Sequence, residues 1–208
     1  MEIDQFWHIL KTSYGYQSSR TCRFLVKKFP FWATFIYYVQ LLYIILIQSI
    51  TARKGNYDRK TWARGSLGIL KIVESAGGRL DISVLKGVVE HQEPLVYVAN
   101  HMSLLDTLVL PCILLAFNSV TFVVKKGLLR YPVFGSIIRA VHPIAVTRQN
   151  PREDLKLVLM RGQALISQGC SIMIFPQATR SSVFDVASFN SLGVKLARKA
   201  GCLWSRLR

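Results

Sequence analysis

The chain has 208 residues, 27 Lys and Arg against 11 Asp and Glu, a formal charge of +16, and 51% apolar residues. That length suits one domain, or a domain with an appended segment, and the apolar share supplies a large core or a membrane segment. The charge favours polyanions such as an anionic membrane surface or phosphate-bearing small molecules. Nucleic acid is a polyanion too, but the absence of a zinc-finger, homeodomain or RNA-recognition signature and the high apolar content argue against it.

Residues 1–28 read as a basic, aromatic, amphipathic lead-in. Phe29 to Ile50 carries no charged residue and is rich in Phe, Tyr, Leu and Ile. At ~1.5 Å rise per residue it is long enough to cross the ~30 Å hydrocarbon layer. Lys27 and Lys28 precede it and Arg53 and Lys54 follow it, so the positive-inside rule leaves its orientation open. Three readings remain: a spanning helix, a helix or hairpin lying in one leaflet, and a buried core helix, with membrane attachment favoured. A membrane-associated segment over 1–55 and an α/β domain over 56–208 are therefore expected.

Asn56 to Ser75 is mixed and helical, ending at Gly77-Gly78. Leu80, Ile82 and Val84 alternate as a short strand, and Pro94 to Ala99 has the composition of a buried one. A helix over 103–116 follows, then a β-branched run over 119–124 and a turn-and-helix segment from Lys125 to Gly135. Pro143 to Thr147 is a strand. Asn150-Pro151-Arg152-Glu153 is a helix start, with Asn as N-cap, Pro at the first position and Glu at the third, and that helix stops at Gly169. Ser171 to Phe175 is a strand, and a last helix covers 186–199. Strands and helices alternating at these lengths predict an α/β fold, a mostly parallel sheet flanked by helices.

His101 falls at the turn after the strand ending at Ala99, with Asp106 five residues on. Ser103-x-x-Asp106 by itself is a capping box, which would make Asp106 a structural cap and His101 a loop residue. The other reading is a general base and the carboxylate that orients it. In open α/β sheets ligands lie outside the carboxyl ends of strands. Three segments fall there: Asn100 to Asp106, Thr147-Arg148, and Pro176-Gln177-Ala178-Thr179-Arg180-Ser181. Arg148 and Arg180 are each ordinary surface residues taken singly, yet guanidinium is the group best shaped to grip a phosphate.

Asn100-His101-x4-Asp106, Lys125…Pro132-x-x-Gly135…Arg148 and Phe175-Pro-x-x-Thr179-Arg180-Ser181 resemble, in order and spacing, the glycerophospholipid acyltransferases of the lysophosphatidic acid acyltransferase type. The resemblance covers roughly residues 70–201. It implies transfer of a fatty acyl group from acyl-CoA or acyl-ACP to the free hydroxyl of a lysophospholipid, at a membrane and with no cofactor. His101 is then the base and Asp106 its partner. Asn100, Ser103, Lys125, Gly135, Arg148 and Gln177 belong to substrate binding, with Thr179 and Arg180 on the acceptor phosphate. Gly193, Leu196, Ala197 and Gly201 resemble the helix that follows.

Two departures stand out. The third block of such proteins reads Phe-Pro-Glu-Gly-Thr-Arg, whereas here Gln177 and Ala178 replace Glu and Gly. Gln keeps the size and hydrogen bonding but loses the charge. After Gly201 the family continues into an apolar strand with a proline-bearing block, whereas this chain reads Cys202-Leu-Trp-Ser-Arg-Leu-Arg208, so a strand is expected to be missing. A member that binds lipid without turnover is the alternative expectation. The cysteines, Cys22, Cys112, Cys170 and Cys202, show neither metal-ligand spacing nor a disulfide framework. They read as reduced thiols in a domain facing the cytoplasm, and His101 with one carboxylate is too sparse a set for a metal.

Overall fold

The computed structural model of the chain describes residues 1–18, 30–177 and 190–207. It divides into two compact units, Met1–His91 with Leu108–Ala116, and Gln92–Thr107 with Phe117–Arg208.

In the first unit, helix α1 (Ile3–Thr12) buries Ile3, Phe6 and Leu10, one amphipathic face of the expected lead-in. Strand β1 (Gly15–Gln17) pairs antiparallel with β2 (Asp81–Ser83), so the alternation at 80–84 builds a two-stranded sheet rather than an edge of the main one. Helix α2 (Pro30–Arg53) contains the uncharged apolar run. Its side chains are largely exposed, Phe31 at 75% and Tyr43 at 65%, which overturns the buried-core-helix reading. Helix α3 (Arg59–Ser75) starts on an Asp58 cap and packs against α2 where Gly65 leaves room for Gln48: a Cβ at Gly65 would lie 2.3 Å from the Gln48 amide carbon. A short helix, α4 (Lys86–Glu90), follows β2.

The second unit holds five strands, all parallel, in the order β5-β4-β6-β3-β7. They are β3 (Val96–Ala99), β4 (Ser119–Lys125), β5 (Ile144–Val146), β6 (Cys170–Ile174) and β7 (Trp204–Leu207). Between them come α5 (Leu104–Leu114), whose first turn belongs to this unit, α6 (Phe134–Ala140), α7 (Pro151–Ser167) and α8 (Leu192–Ala200). Val96 and Val98, Ile144 and Val146, and Ile172 and Ile174 alternate onto one face, where they pack with Val158 and Ile166 of α7 and Leu196 and Ala197 of α8. Burying each such side chain contributes about 1.5–3 kcal/mol. Asn150 caps α7 as its sequence predicts, its Oδ1 accepting from the N–H groups of Arg152 and Glu153.

The missing strand is a correction. Trp204–Leu207 extends beside β3 in parallel register, Val96 opposite Trp204 and Ala99 opposite Leu207. Its side chains are half to fully exposed, as an edge position allows, so it lacks the continuous apolar run by which a parallel strand is recognised. The last helix starts at Leu192; the earlier part of the expected helix, residues 186–189, lies outside the described residues.

Candidate active site

The chain leaves β3 at Ala99, turns through Asn100, His101 and Met102, and enters α5 at its Ser103 cap. Ser103 Oγ accepts from the N–H of Leu105 at 2.9 Å, while Asp106 Oδ2 accepts from the N–H groups of Ser103 at 2.8 Å and Met102 at 2.7 Å. The capping reading therefore describes this carboxylate. The same Oδ2 also lies 3.2 Å from His101 Nδ1. The two readings of the motif are not rivals, because one oxygen fixes the turn and orients the ring. With Nδ1 donating to Asp106, Nε2 is left as the basic nitrogen. Side-chain exposures of 19% for His101 and 25% for Asp106 leave the pair sheltered but reachable.

The end of β6 supplies two further contacts. The Phe175 ring stacks on the imidazole, centroids 4.3 Å apart and planes 25° from parallel, and Phe122 of β4 lies against Phe175 at 6.2 Å. Strand alternation explains this. Ile172 and Ile174 face α7 and α8, so Phe175 and Phe122 point to the opposite face, the side taken by His101 two residues after Ala99. Gln177, only 3% exposed, accepts the N–H of His101 on its Oε1 at 2.7 Å; its buried Nε2 has no partner among the described residues. Tyr97, also buried, has its phenol pushed up to about 12 by desolvation.

The outer residues stand apart from this cluster. Lys125 is exposed at the end of β4. Arg148 is exposed just beyond β5, its backbone at φ 63° and its N–H donated to Asp154 Oδ2 at 2.6 Å. Asp154 Oδ1 also accepts the N–H of Thr147 at 2.9 Å, so this first-turn acid of α7 holds the strand-end turn in place. At about 4.8 Å per strand, β4 runs about 10 Å and β5 about 14 Å from β3. All four strand ends lie on the same edge because the sheet is parallel.

Gly135 is buried with no room for a side chain, since a Cβ would lie 2.5 Å from the Leu129 carbonyl oxygen. Just before it, the N–H of Phe134 donates to the Pro132 carbonyl at 2.7 Å around Val133 at φ 63° and ψ −68°, a γ-turn strained for a β-branched residue. The Pro-x-x-Gly block thus shapes backbone. Asn100 is half-buried beside His101. Ala178, Thr179, Arg180 and Ser181 lie outside the described residues. In α8, Gly193 packs on Val98, Leu196 and Ala197 are core residues, and Gly201 takes the left-handed C-cap position at φ 66°.

Sequence reasoning missed Phe175 and Asp154. Phe175 had a usable signal in its strand phase. Asp154 carried no signal, since its partners, the N–H groups of Thr147 and Arg148, lie across the turn between β5 and α7. Burial pushes the Cys112 thiol up to about 12 and the Cys170 thiol up to about 11, so both stay protonated at neutral pH and are poor nucleophiles. No group of three or more His, Cys, Asp or Glu suited to a metal occurs among the described residues. What remains is an imidazole paired with a carboxylate at the carboxyl edge of the sheet.

Comparison with known proteins agrees with the resemblance read from the motifs. The family model described as acyltransferase matches residues 82–204. A 1-acyl-sn-glycerol-3-phosphate acyltransferase of Pseudomonas aeruginosa is 30% identical over 142 residues, 68% of this chain and 52% of the relative. A chloroplastic 1-acyl-sn-glycerol-3-phosphate acyltransferase of Arabidopsis thaliana is 27% identical over 172 residues, 81% of this chain and 45% of the relative. The chain thus spans about half the length of these curated relatives. No solved structure gives a significant match.

Proposed function

The chain belongs to the acyltransferase family, and on that footing we propose that it transfers a fatty acyl group from acyl-CoA or acyl-ACP to the free hydroxyl of 1-acylglycerol-3-phosphate, giving phosphatidic acid. The observation that carries this is the 3.2 Å approach of His101 Nδ1 to Asp106 at the carboxyl edge of the sheet. His101 Nε2 takes the proton of the acceptor hydroxyl as its oxygen attacks the thioester carbonyl. Asp106 stabilises the imidazolium that results. The tetrahedral adduct then collapses, the C–S bond breaks, and the departing thiolate takes the proton back from the imidazolium. The acceptor is itself the nucleophile, so no acyl-enzyme forms. A positioned base of this kind contributes typically about 10²–10⁴-fold in rate.

The acceptor is held, in this proposal, by Asn100, Ser103, Lys125 and Arg148, with Gly135 giving the backbone room and Thr179 and Arg180 gripping the phosphate. Exposed Lys125, Lys126 and Arg130, with Tyr131 and Leu104 exposed among them, give the strand-end side of the domain a cationic and apolar character suited to an anionic lipid. Helix α2, at ~1.5 Å per residue, is long enough for the ~30 Å hydrocarbon layer and would hold the chain in or on the bilayer, the active site facing the cytoplasm.

Membranes carrying the full chain, supplied with 1-acylglycerol-3-phosphate and labelled acyl-CoA or acyl-ACP in separate arms, test the proposal. Labelled phosphatidic acid is expected, falling by about 10²–10⁴-fold in His101→Ala. Lipid binding without product would favour a member that does not turn over. An unchanged rate in His101→Ala would overturn the mechanism.

A further inference from the structure

Asp106 is not the only group that fixes the base. We infer that the end of β6 is a positioning platform for His101, Phe175 holding the ring face and Gln177 the backbone, and that the neutrality of Gln177 sets the pH range in which the imidazole works. The inference deepens the proposed function and rests on it.

The geometry is specific. Gln177 reaches from the turn after β6 to the turn after β3, strands that lie side by side with Val98 opposite Ile174. Its Oε1 takes the His101 N–H at 2.7 Å, the one backbone donor that the turn directs at this side chain. It makes that bond while its own Nε2 stays buried without a partner among the described residues. Among the described residues, that bond to His101 is the one this side chain makes. Phe175, two residues earlier, stacks on the same residue's ring at 4.3 Å. Imidazole and main chain of His101 are thus both held from one neighbouring turn.

The electrostatics follow from which groups face the ring. Asp106 of α5 is its bonded carboxylate. Phe175 and Gln177, just past the end of β6, are uncharged. Arg180 lies outside the described residues. A carboxylate at position 177 would keep the accepting oxygen but add a second negative charge beside the imidazole. Negative charge favours the imidazolium and raises its pKa. A general base acts in its neutral form, so activity would then be lost at a higher pH on the acid side.

The test uses the full chain in membranes, with acyl-CoA and 1-acylglycerol-3-phosphate, and compares wild type, Gln177→Glu, Gln177→Leu and His101→Ala. Gln177→Glu should move the acid limb of kcat/KM upward by about one pH unit. Gln177→Leu should lower kcat about tenfold, leave KM within about twofold, and leave the limb in place. A change of packing alone would not move the limb. Should Gln177→Leu fail to fold, Gln177→Glu, which retains the accepting oxygen, decides the matter. An unmoved limb in Gln177→Glu overturns the inference, as does wild-type kcat in a folded Gln177→Leu. If His101→Ala is inactive while both Gln177 variants behave as wild type, the inference alone falls. If His101→Ala keeps its rate, the proposed function falls as well.

Discussion

The carboxyl ends of β3 and β6 and those of β4 and β5 lie along one edge of one sheet, and they are built differently. At β3 and β6, His101, Asp106, Phe175 and Gln177 are half to fully buried and tied to each other by bonds of 2.7 to 3.2 Å and a ring stack. At β4 and β5 the chain offers exposed cations: Lys125 at the strand end, and Arg148 on a turn that the Asp154 carboxylate holds through the N–H groups of Thr147 and Arg148. The centre is ordered by contacts that reach the His101 side chain, whereas at the flank the ordering bonds reach main-chain N–H groups and leave Lys125 and Arg148 exposed.

That contrast can be broken from either side. Asp106→Asn keeps an oxygen to accept from Met102, Ser103 and the His101 ring but removes the charge. Product formation should fall about 10²-fold with little change in the unfolding midpoint, as kinetics alongside a thermal melt would show. An unchanged rate would mean that the carboxylate is only a helix cap. Gly135→Ala places a methyl 2.5 Å from the Leu129 carbonyl oxygen. Denaturant unfolding should register about 2 kcal/mol of lost stability. A neutral result would show the Pro-x-x-Gly turn to be pliable rather than fixed. Arg148→Ala should act at the flank: KM for the acceptor up about fivefold, kcat nearly constant, and the difference shrinking as salt is raised. A fall in kcat without a change in KM would place Arg148 with the centre instead.

Much of this was legible in the residues. The placing of chemistry-bearing turns after strands, the Asn150 cap and the pairing of His101 with Asp106 follow from periodicity and spacing, since each rests on local rules. The apolar composition shared by α2 and α5 was less informative. Helix α5 is 11 residues long and buries Leu108, Val109, Pro111, Cys112 and Leu114, whereas α2 is 24 residues long and exposes most of its side chains. Length separates them, and hydropathy does not. The Ser66 hydroxyl that donates to the Leu108 carbonyl and accepts the Cys112 N–H beside Pro111 could not be foreseen, because it joins residues 42 to 46 positions apart. The same holds for Gln177 and Phe175 against His101, brought together only by the pairing of β3 with β6. Strand β7 was hidden for another reason: an edge strand with exposed side chains carries a weak apolar signal.

The account turns on the imidazole of His101 as the group that removes the acceptor proton. The direct measurement is the pH dependence of kcat/KM for labelled phosphatidic acid formation by wild type and by His101→Ala across the titration range of histidine. Wild type should lose activity on the acid side as the ring protonates, and the residual activity of His101→Ala should be flat over the same range. An acid limb that survives unchanged in His101→Ala would assign the proton transfer to another group and contradict the account.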